Sequence, residues 1–352
     1  MLGVGSCISR TSVLSQTTTM SIDITVFKGS PNGIVEAKTS QPLPIGNQVL
    51  IRITHSGVCG SDEIYAEADF VLGHEGVGII QQVGEAVDKD KFKVGDVVGW
   101  GYVHRVCGKC EQCLHGHDQY CTTAEYYGHN NHHQGSFSSH AIWDASVLYK
   151  IPHGLAPEYA APLMCAGATV FGAIEEHNIR PTDRVGVVGV GGLGHMAIRF
   201  LSVIGAEVVV FSSTQSKRTD AMRLGATEFH PTQGAEKFEG VKQVDHLLVT
   251  TSSLPDWTPY LSVVKARGKI FLLTVSFDNV VIPNLPLVAF GLTVQGSMVA
   301  CRSVHERMLE FAVRNKVEPV IEQFPMTRDG IQEVMDRLKE GKVRYRAVVV
   351  AQ

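Results

Sequence analysis

The chain of 352 residues lacks several features that would assign it to a common class of protein. Its net charge of −4 leaves no basic excess, which argues against a nucleic-acid-binding surface. Each candidate membrane-spanning run is interrupted by glycine, proline or polar residues. The sequence also lacks a secretory hydrophobic segment, so we expect a cytoplasmic protein. In that setting its eight cysteines are better explained as metal ligands than as disulfides.

The length of the chain favours two domains, preceded by a distinct amino-terminal segment. Residues 1–19 are rich in Ser and Thr, contain Arg10 and have no acidic residue, which faintly resembles a transit peptide. Met20 directly precedes the first strand-like run. We therefore favour a disordered tail or an upstream start for residues 1–19.

The pattern of the sequence changes once, near Pro162. Before this point, short β-like runs are separated by glycine and proline, which predicts a barrel-like β domain with strands at 48–54, 77–83, 94–100 and 140–149. After it, helices and strands alternate at βαβ spacing, which predicts a parallel sheet with strands at 184–188, 207–211, 246–250, 268–275 and 292–298. Helices at about 304–315 and 327–340 then precede a last strand at 345–350.

Four cysteines follow one another at close spacing, C-x₂-C-x₂-C-x₇-C: Cys107, Cys110, Cys113 and Cys121. Four thiolates on a short glycine-containing loop can complete a tetrahedral shell around zinc. Such a shell leaves no position for substrate, so the predicted site is structural. An iron–sulfur cluster also uses thiolates, but the usual spacing and the following proline are missing.

A second set of metal ligands is spread over three segments. Cys59 lies in GVCGSD, His74 in GHEG, and Cys165 in a run of apolar and small residues. One imidazole and two thiolates leave zinc an open position, which is the arrangement of a catalytic site. Glu75 stands beside His74 and could bind the metal transiently.

Two neighbours of Cys59 extend this prediction. Asp62 is placed to accept a hydrogen bond from the ring of His74, and Ser61 to pass a proton to a bound oxygen.

A further group of histidines lies in a polar, Asn-rich stretch, and we interpret it as surface: His129, His132 and His133.

A glycine-rich turn follows the strand at 184–188 and fits G-x-G-x-x-G: Gly189, Val190, Gly191, Gly192, Leu193 and Gly194. A helix follows it, and a second strand comes about twenty residues later, which is the context of a dinucleotide-binding fold. The pyrophosphate would lie on the amino end of that helix.

The end of the second predicted strand indicates which dinucleotide is bound. An NAD-binding chain usually has Asp or Glu there, but this chain has hydroxyls and two cations: Ser212, Ser213, Thr214, Lys217 and Arg218. Such residues would accept a 2′-phosphate, and no carboxylate would repel it. The sequence therefore predicts NADP(H).

Several motifs, in this order, resemble zinc-dependent medium-chain alcohol dehydrogenases: GVCGSD, GHEGVG, CGKCEQC, PLMCAGATV and GVGGLGHMAIR. Within that family the resemblance is to the cinnamyl alcohol dehydrogenase and NADPH-dependent aldehyde reductase branch, and it extends from about residue 22 to 350. It implies an α/β fold in which a GroES-like β-rich catalytic domain, residues 20–165 and 301–352, is interrupted by a Rossmann dinucleotide-binding domain with a parallel sheet, residues 166–300.

The resemblance also implies roles for individual residues. Cys59, His74 and Cys165 would hold the catalytic zinc with Glu75 beside them, and the four close cysteines would hold a structural zinc. Ser61 would relay a proton, Thr169 would lie near the nicotinamide, and the 2′-phosphate would be bound by Ser212, Ser213 and Lys217. Related enzymes form homodimers by joining sheets edge to edge, here through 292–298.

The resemblance predicts reversible reduction of aromatic or medium-chain aldehydes to primary alcohols with NADPH. Two departures from the family pattern leave alternatives open. Ile64 occupies the place of a relay histidine, and the segment between Asp62 and His74 is short. One alternative is an NADPH-dependent iminium or activated-alkene reductase. Another is a non-catalytic zinc protein that binds NADPH.

Overall fold

The computed structural model describes residues 20–352, so the predicted disordered tail at 1–19 lies outside the described residues. The first part of the chain consists mainly of short strands: β1 (Ser21–Lys28), β2 (Val35–Pro42), β3 (Gln48–Val58), α1 (Gly60–Ile64), β4 (Glu75–Val83), β5 (Val97–Trp100), β6 (Val103–Arg105), α2 (Glu111–Leu114), β7 (Glu125–Tyr126), β8 (His140–Asp144) and β9 (Tyr149–Lys150).

The predicted strands at 48–54 and 77–83 are confirmed, but two others differ from the prediction. The predicted strand at 140–149 is divided, because Asp144 accepts a hydrogen bond from the Ser146 amide at 2.8 Å and starts a 3₁₀ turn, Ala145–Val147. The strand predicted from residue 94 begins only at Val97, after Gly95 turns the backbone with φ of 92°.

The middle of the chain alternates helices and strands: α3 (Pro157–Pro162), α4 (Ala168–Glu176), β10 (Arg184–Val188), α5 (Gly192–Ile204), β11 (Glu207–Ser212), α6 (Arg218–Leu224), β12 (Glu228–Pro231), β13 (Val244–Val249), α7 (Thr258–Leu261), β14 (Val264–Leu272), α8 (Asn284–Phe290) and β15 (Thr293–Gly296). A single π-helical turn, Leu163–Gly167, joins α3 to α4. The last part contains α9 (Arg302–Asn315), β16 (Ile321–Pro325), α10 (Arg328–Lys339) and β17 (Arg346–Val350).

Two large sheets organise these elements. Six strands form a parallel sheet in the order β12-β11-β10-β13-β14-β15. The other sheet runs β16-β17-β3-β4-β5-β9, with β8 paired to β3, and its pairs are antiparallel except β16 with β17. This is the predicted α/β fold, in which a Rossmann sheet accompanies a β-rich GroES-like unit.

The parallel sheet is apolar on both faces, and each face packs in a buried cluster of its own. Val185, Val187, Val208 and Val210 are fully buried in the cluster that also contains the inner face of α5. The same cluster includes Val348 of the mixed sheet, so buried side chains run continuously from one sheet to the other. The domain boundaries at 165/166 and 300/301 stay a prediction.

Candidate active site

Four potential metal ligands meet at one end of a deep cleft. One ligand atom from each of Cys59, His74, Glu75 and Cys165 lies within 4.8 Å of the others. His74, Glu75 and Cys165 are buried, and Cys59 is half-buried at the cleft surface. The fold thus brings Cys165 to ligands that lie far from it in sequence.

Local structure explains how the ligands are positioned. Cys59 is the amino-terminal cap of α1, and its backbone amide donates to Oδ2 of Asp62 at 2.9 Å. His74 immediately precedes β4. Cys165 lies in the π-helical turn, a local widening of a helix that is frequent at functional sites.

One ring nitrogen of His74 lies within hydrogen-bonding distance of a carboxylate, and the other has no such partner among residues 20–352. Nδ1 lies 3.0 Å from Oδ1 of Asp62, and both side chains are fully buried. Nε2 has no hydrogen-bond partner within residues 20–352. Burial lowers the pKa of His74, but interactions with Asp62 and Cys59 together hold it well above its usual value. A metal at Nε2 would therefore displace a proton.

The two sulfurs of this cluster lie close to each other. Their interaction is the main reason why the pKa of Cys59 lies well below its usual value, while burial acts in the opposite direction. The same interaction, together with burial, raises the pKa of Cys165. Two sulfurs, one of them readily ionised, and a free imidazole nitrogen are the ligands that zinc prefers, so these residues fit zinc.

Arg346, which was not predicted from the sequence, connects the metal cluster to the glycine-rich turn. Its guanidinium donates to Oε1 of Glu75, and both side chains are buried. Its Cδ and Nη1 atoms would lie 3.1 Å from a Cβ added at Gly192. Burial raises the pKa of Glu75 to about 7, although Arg346 opposes this shift. The only signal in the sequence was the position of Arg346 in the family-like ending KVRYRAVV.

The four close cysteines also converge, with one sulfur each within 4.8 Å of the others. They are free thiols, and Sγ of Cys113 lies 4.0 Å from that of Cys107 and 3.6 Å from that of Cys110. Backbone N–H groups point at the sulfurs, and such bonds lower the pKa of Cys110 to about 6. The arrangement fits a closed four-thiolate shell around a zinc ion.

The glycine-rich turn has the geometry that a dinucleotide requires. Gly189 adopts φ of 96°, and Gly191 caps α5, which begins at Gly192. A Cβ at Gly194 would overlap the carbonyl oxygen of Gly189, so only glycine lets helix and turn pack this closely. Thr250, which the sequence did not single out, donates to the Val188 carbonyl at 2.8 Å.

Three of the five residues predicted to bind the 2′-phosphate line the cleft: Ser212, Ser213 and Lys217. Lys217 Nζ donates to the Val190 carbonyl at 2.6 Å and so lies against the glycine-rich turn. Thr214 and Arg218 are not among the cleft-lining residues. The hydroxyl of Thr214 lies 2.9 Å from that of Ser216, and Arg218 donates to the Phe229 carbonyl at 3.3 Å.

The cleft has a volume of about 1230 Å³ and reaches from the metal cluster to the glycine-rich turn. Ser61 and Thr169 line it together with Cys59 and Cys165, and their roles toward the proton and the nicotinamide stay predictions. The Ser61 hydroxyl lies 3.8 Å from Sγ of Cys59. Ile64 also lines the cleft and is 41% exposed.

Tyr102 is a second cleft residue that was not predicted from the sequence, because no motif marks it. Its ring packs edge-on against His74 and stacks on Tyr126, with centroid distances of 5.9 Å in both cases. Burial raises its pKa to about 12, so the phenol is a neutral donor. The ring lines the cleft together with Ser61 and Cys165.

One other prediction concerns the surface of the molecule. The histidines at 129, 132 and 133 are exposed, as predicted. Among residues 20–352, no helix is long and apolar enough to cross a membrane.

Comparison with known proteins gives matches over both parts of the chain. The family model "Alcohol dehydrogenase GroES-like domain" matches residues 46–153, and "Zinc-binding dehydrogenase" matches residues 192–314. Aldehyde reductase AdhA of Synechocystis sp. is 33% identical, over 90% of this chain and 96% of that protein.

Two solved structures have the same fold over nearly their whole length. A cinnamyl alcohol dehydrogenase from Sorghum bicolor has a TM-score of 0.85 and 30% identity, with 93% of this chain and 97% of that chain covered. A CAD from Helicobacter pylori, complexed with NADP(H), has a TM-score of 0.85 and 26% identity, with 94% and 99% covered. The chain belongs to the zinc-dependent medium-chain alcohol dehydrogenase family, in its cinnamyl alcohol dehydrogenase branch.

Proposed function

We propose that the protein is an NADP(H)-dependent alcohol dehydrogenase that reduces aldehydes reversibly to primary alcohols. One observation carries the proposal: a single cleft has the cluster of Cys59, His74 and Cys165 at one end and the glycine-rich turn at the other. The similarity to an aldehyde reductase and to a CAD complexed with NADP(H) supports the reaction and the cofactor.

When bound, zinc would polarise the carbonyl group and NADPH would supply the hydride. Cys59, His74 and Cys165 would hold the metal, and Asp62 would orient His74. The Ser61 hydroxyl would give its proton to the carbonyl oxygen as this oxygen becomes a hydroxyl. Ile64 cannot replace that proton, so water entering the open cleft would restore the Ser61 hydroxyl.

We also propose one catalytic and one structural zinc per chain. Support comes from the chemistry of the two ligand sets: four sulfurs can close a shell, whereas two sulfurs and one imidazole leave a position open. At the other end of the cleft, Ser212, Ser213 and Lys217 would bind the 2′-phosphate, and Thr169 would lie near the nicotinamide. Glu75 would be an occasional ligand, since Arg346 already holds one of its oxygens.

The protein would be a cytoplasmic homodimer joined through residues 292–298. β15, within this range, is the edge strand of the parallel sheet. The chain before it carries exposed apolar side chains, namely Val275, Phe277, Val281, Leu285 and Val288. A pairing of two such edges would bury them. Sedimentation of the purified protein, compared with a Val288→Lys variant, tests this assembly.

Substrate assays test the reaction. The purified protein should oxidise NADPH with cinnamaldehyde or benzaldehyde, and Cys165→Ala should abolish this turnover. Cys301→Ala is the matched control, because Cys301 is also buried but lies outside both metal clusters. Undiminished turnover in Cys165→Ala would refute the metal-dependent reaction.

The second candidate is reduction of an iminium or activated alkene, favoured by the absence of a relay group at Ile64. Deuterium-labelled NADPH separates the two reactions. Label on a carbinol carbon supports aldehyde reduction, whereas label next to nitrogen or on a former alkene carbon supports the alternative.

A further inference from the structure

His195 is a buried histidine that the proposed reaction does not use. It follows Gly194 at the start of α5 and is fully buried. Its Nδ1 lies 3.0 Å from the Gly191 carbonyl oxygen, and its Nε2 lies 3.3 Å from the Val320 amide nitrogen. A carbonyl can only accept and an amide N–H can only donate, so Nδ1 carries the proton and Nε2 is the acceptor. Burial lowers the pKa of His195 to about 4, which keeps this neutral form in place.

The backbone of Val320 connects His195 to the mixed sheet. Its carbonyl accepts hydrogen bonds from the amides of Tyr345 and Arg346, at 3.1 and 3.0 Å. The Tyr345 ring also stacks on His195, with a centroid distance of 5.3 Å and an interplanar angle of 22°. The backbone at Arg346 is therefore positioned relative to the glycine-rich turn through one histidine side chain.

The side chain of Arg346 completes a path to the metal cluster. Its guanidinium bonds Glu75, whose other oxygen has no partner within residues 20–352. The same side chain lies against Gly192 of the glycine-rich turn. A displacement of the turn would therefore move Arg346 through two sets of contacts. One is the direct contact with Gly192, and the other runs through His195 and Val320.

We propose that His195 is a positioning residue that fixes the glycine-rich turn to Arg346, so that dinucleotide binding at the turn alters the surroundings of the metal at Cys59, His74 and Glu75. This inference rests on the proposed function, because it requires a metal and a dinucleotide in the two sites. Linkage makes the effect reciprocal, so the metal site also influences dinucleotide affinity.

Two conservative variants each keep one of the two hydrogen bonds of His195 and remove the other. In His195→Asn the amide nitrogen takes the place of Nδ1 and keeps the Gly191 contact only. In His195→Gln the amide oxygen takes the place of Nε2 and keeps the Val320 contact only. His305→Gln is the control, since His305 is also buried but stacks on Tyr149.

The measurement is the visible absorption of the full chain carrying cobalt(II) in the catalytic site, before and after saturation with NADP⁺. We expect a shift of the cobalt bands in the wild type and in His305→Gln, and its loss in both His195 variants. NADP⁺ should still bind to these variants, about fivefold more weakly.

Each outcome has a distinct meaning. A wild-type protein that does not bind NADP⁺ would refute the proposed function itself. A cobalt shift that persists in both His195 variants, or that is absent from the wild type, would overturn only the role of His195. Loss of all NADP⁺ binding in both variants would also overturn it, because His195 would then support the turn alone.

Discussion

Nδ1 of His74 lies 3.0 Å from Oδ1 of Asp62, and neither side chain is exposed to solvent. The carboxylate fixes the ring so that Nε2 faces Cys59 and Cys165. Outer partners of this kind fix the orientation of a ligand and raise its basicity. The position of Asp62, three residues after Cys59 and at the start of α1, lets one side chain organise two ligands.

Asp62→Asn should weaken catalytic zinc binding by roughly 10- to 100-fold, because an amide neither compensates the metal charge nor accepts as strongly from His74. Competition with a chromophoric chelator measures this affinity. Asp183→Asn serves as the control, since Asp183 is a buried carboxylate that pairs with His246 away from the metal cluster. Equal zinc affinity in the wild type and Asp62→Asn would contradict the assigned role of Asp62.

The two metal sites should be separable by mutation. Metal analysis should give two zinc ions per wild-type chain and one in either Cys113→Ser or Cys165→Ser. Cys165→Ser should lower kcat by roughly a thousandfold, because Lewis-acid stabilisation is worth several kcal/mol. Cys113→Ser should mainly lower Tm, since a structural zinc contributes directly to folding.

Cys301→Ser is the control, and it should keep both zinc ions, the kcat and the Tm of the wild type. One zinc per wild-type chain would refute the assignment of two sites.

Local motifs made much of this site predictable from the sequence. The spacing of Cys107, Cys110 and Cys113 and the run of glycines at 189–194 each determine a local geometry within a few residues. The strand before the glycines and the helix after them are equally local. Such patterns need little information about the rest of the fold.

Arg346 and Tyr102 could not be predicted in this way. The contact of Arg346 with Glu75 spans 271 residues and depends on the pairing of β17 with β3. Tyr102 reaches the cleft because its ring packs on His74 and Tyr126, which no spacing encodes. The division of the predicted strand at 140–149 depended on a single Asp144 side chain.

Cofactor preference should depend on Lys217. Lys217→Ala should weaken NADPH binding by about 10- to 100-fold, since a charge-assisted hydrogen bond is worth about 1.5–3 kcal/mol, and should leave NADH binding nearly unchanged. Protein fluorescence on titration with each dinucleotide measures both affinities. Arg218→Ala is the control, because Arg218 bonds the Phe229 carbonyl.

Lys217 also bonds the Val190 carbonyl in the glycine-rich turn. If this bond were its only role, NADPH and NADH affinities would fall equally in Lys217→Ala, and that result would contradict 2′-phosphate binding.

Tyr102 should contribute to substrate binding through its hydroxyl. Tyr102→Phe should raise KM for aldehydes that carry a second hydrogen-bond acceptor besides the carbonyl oxygen. The expected increase is roughly two- to tenfold, which corresponds to one neutral hydrogen bond, with kcat unchanged. A comparison of benzaldehyde with its methoxy derivatives tests this. Tyr126→Phe is the control, since the Tyr126 hydroxyl donates to the Gln119 carbonyl at 2.9 Å. An unchanged KM for every aldehyde in Tyr102→Phe would show that the hydroxyl makes no substrate contact.

His305 should make the protein less stable in acid. Burial lowers its pKa to about 3 in the folded state, against 6.5 for an ordinary histidine. Between these two values the unfolded chain binds the extra proton, so the free energy of unfolding decreases as pH falls below 6.5. The slope is roughly 1.4 kcal/mol per pH unit for one histidine, and the loss continues to about pH 3.

His305→Gln removes this titration while keeping a side chain of similar size. Urea unfolding between pH 6.5 and 4 should give a smaller loss of stability for the variant than for the wild type, by roughly 1.4 kcal/mol per pH unit. Other buried histidines, including His104 with a pKa of about 3, titrate in both proteins and cancel in the comparison. Parallel pH profiles for the two proteins would show that His305 is not held neutral by burial.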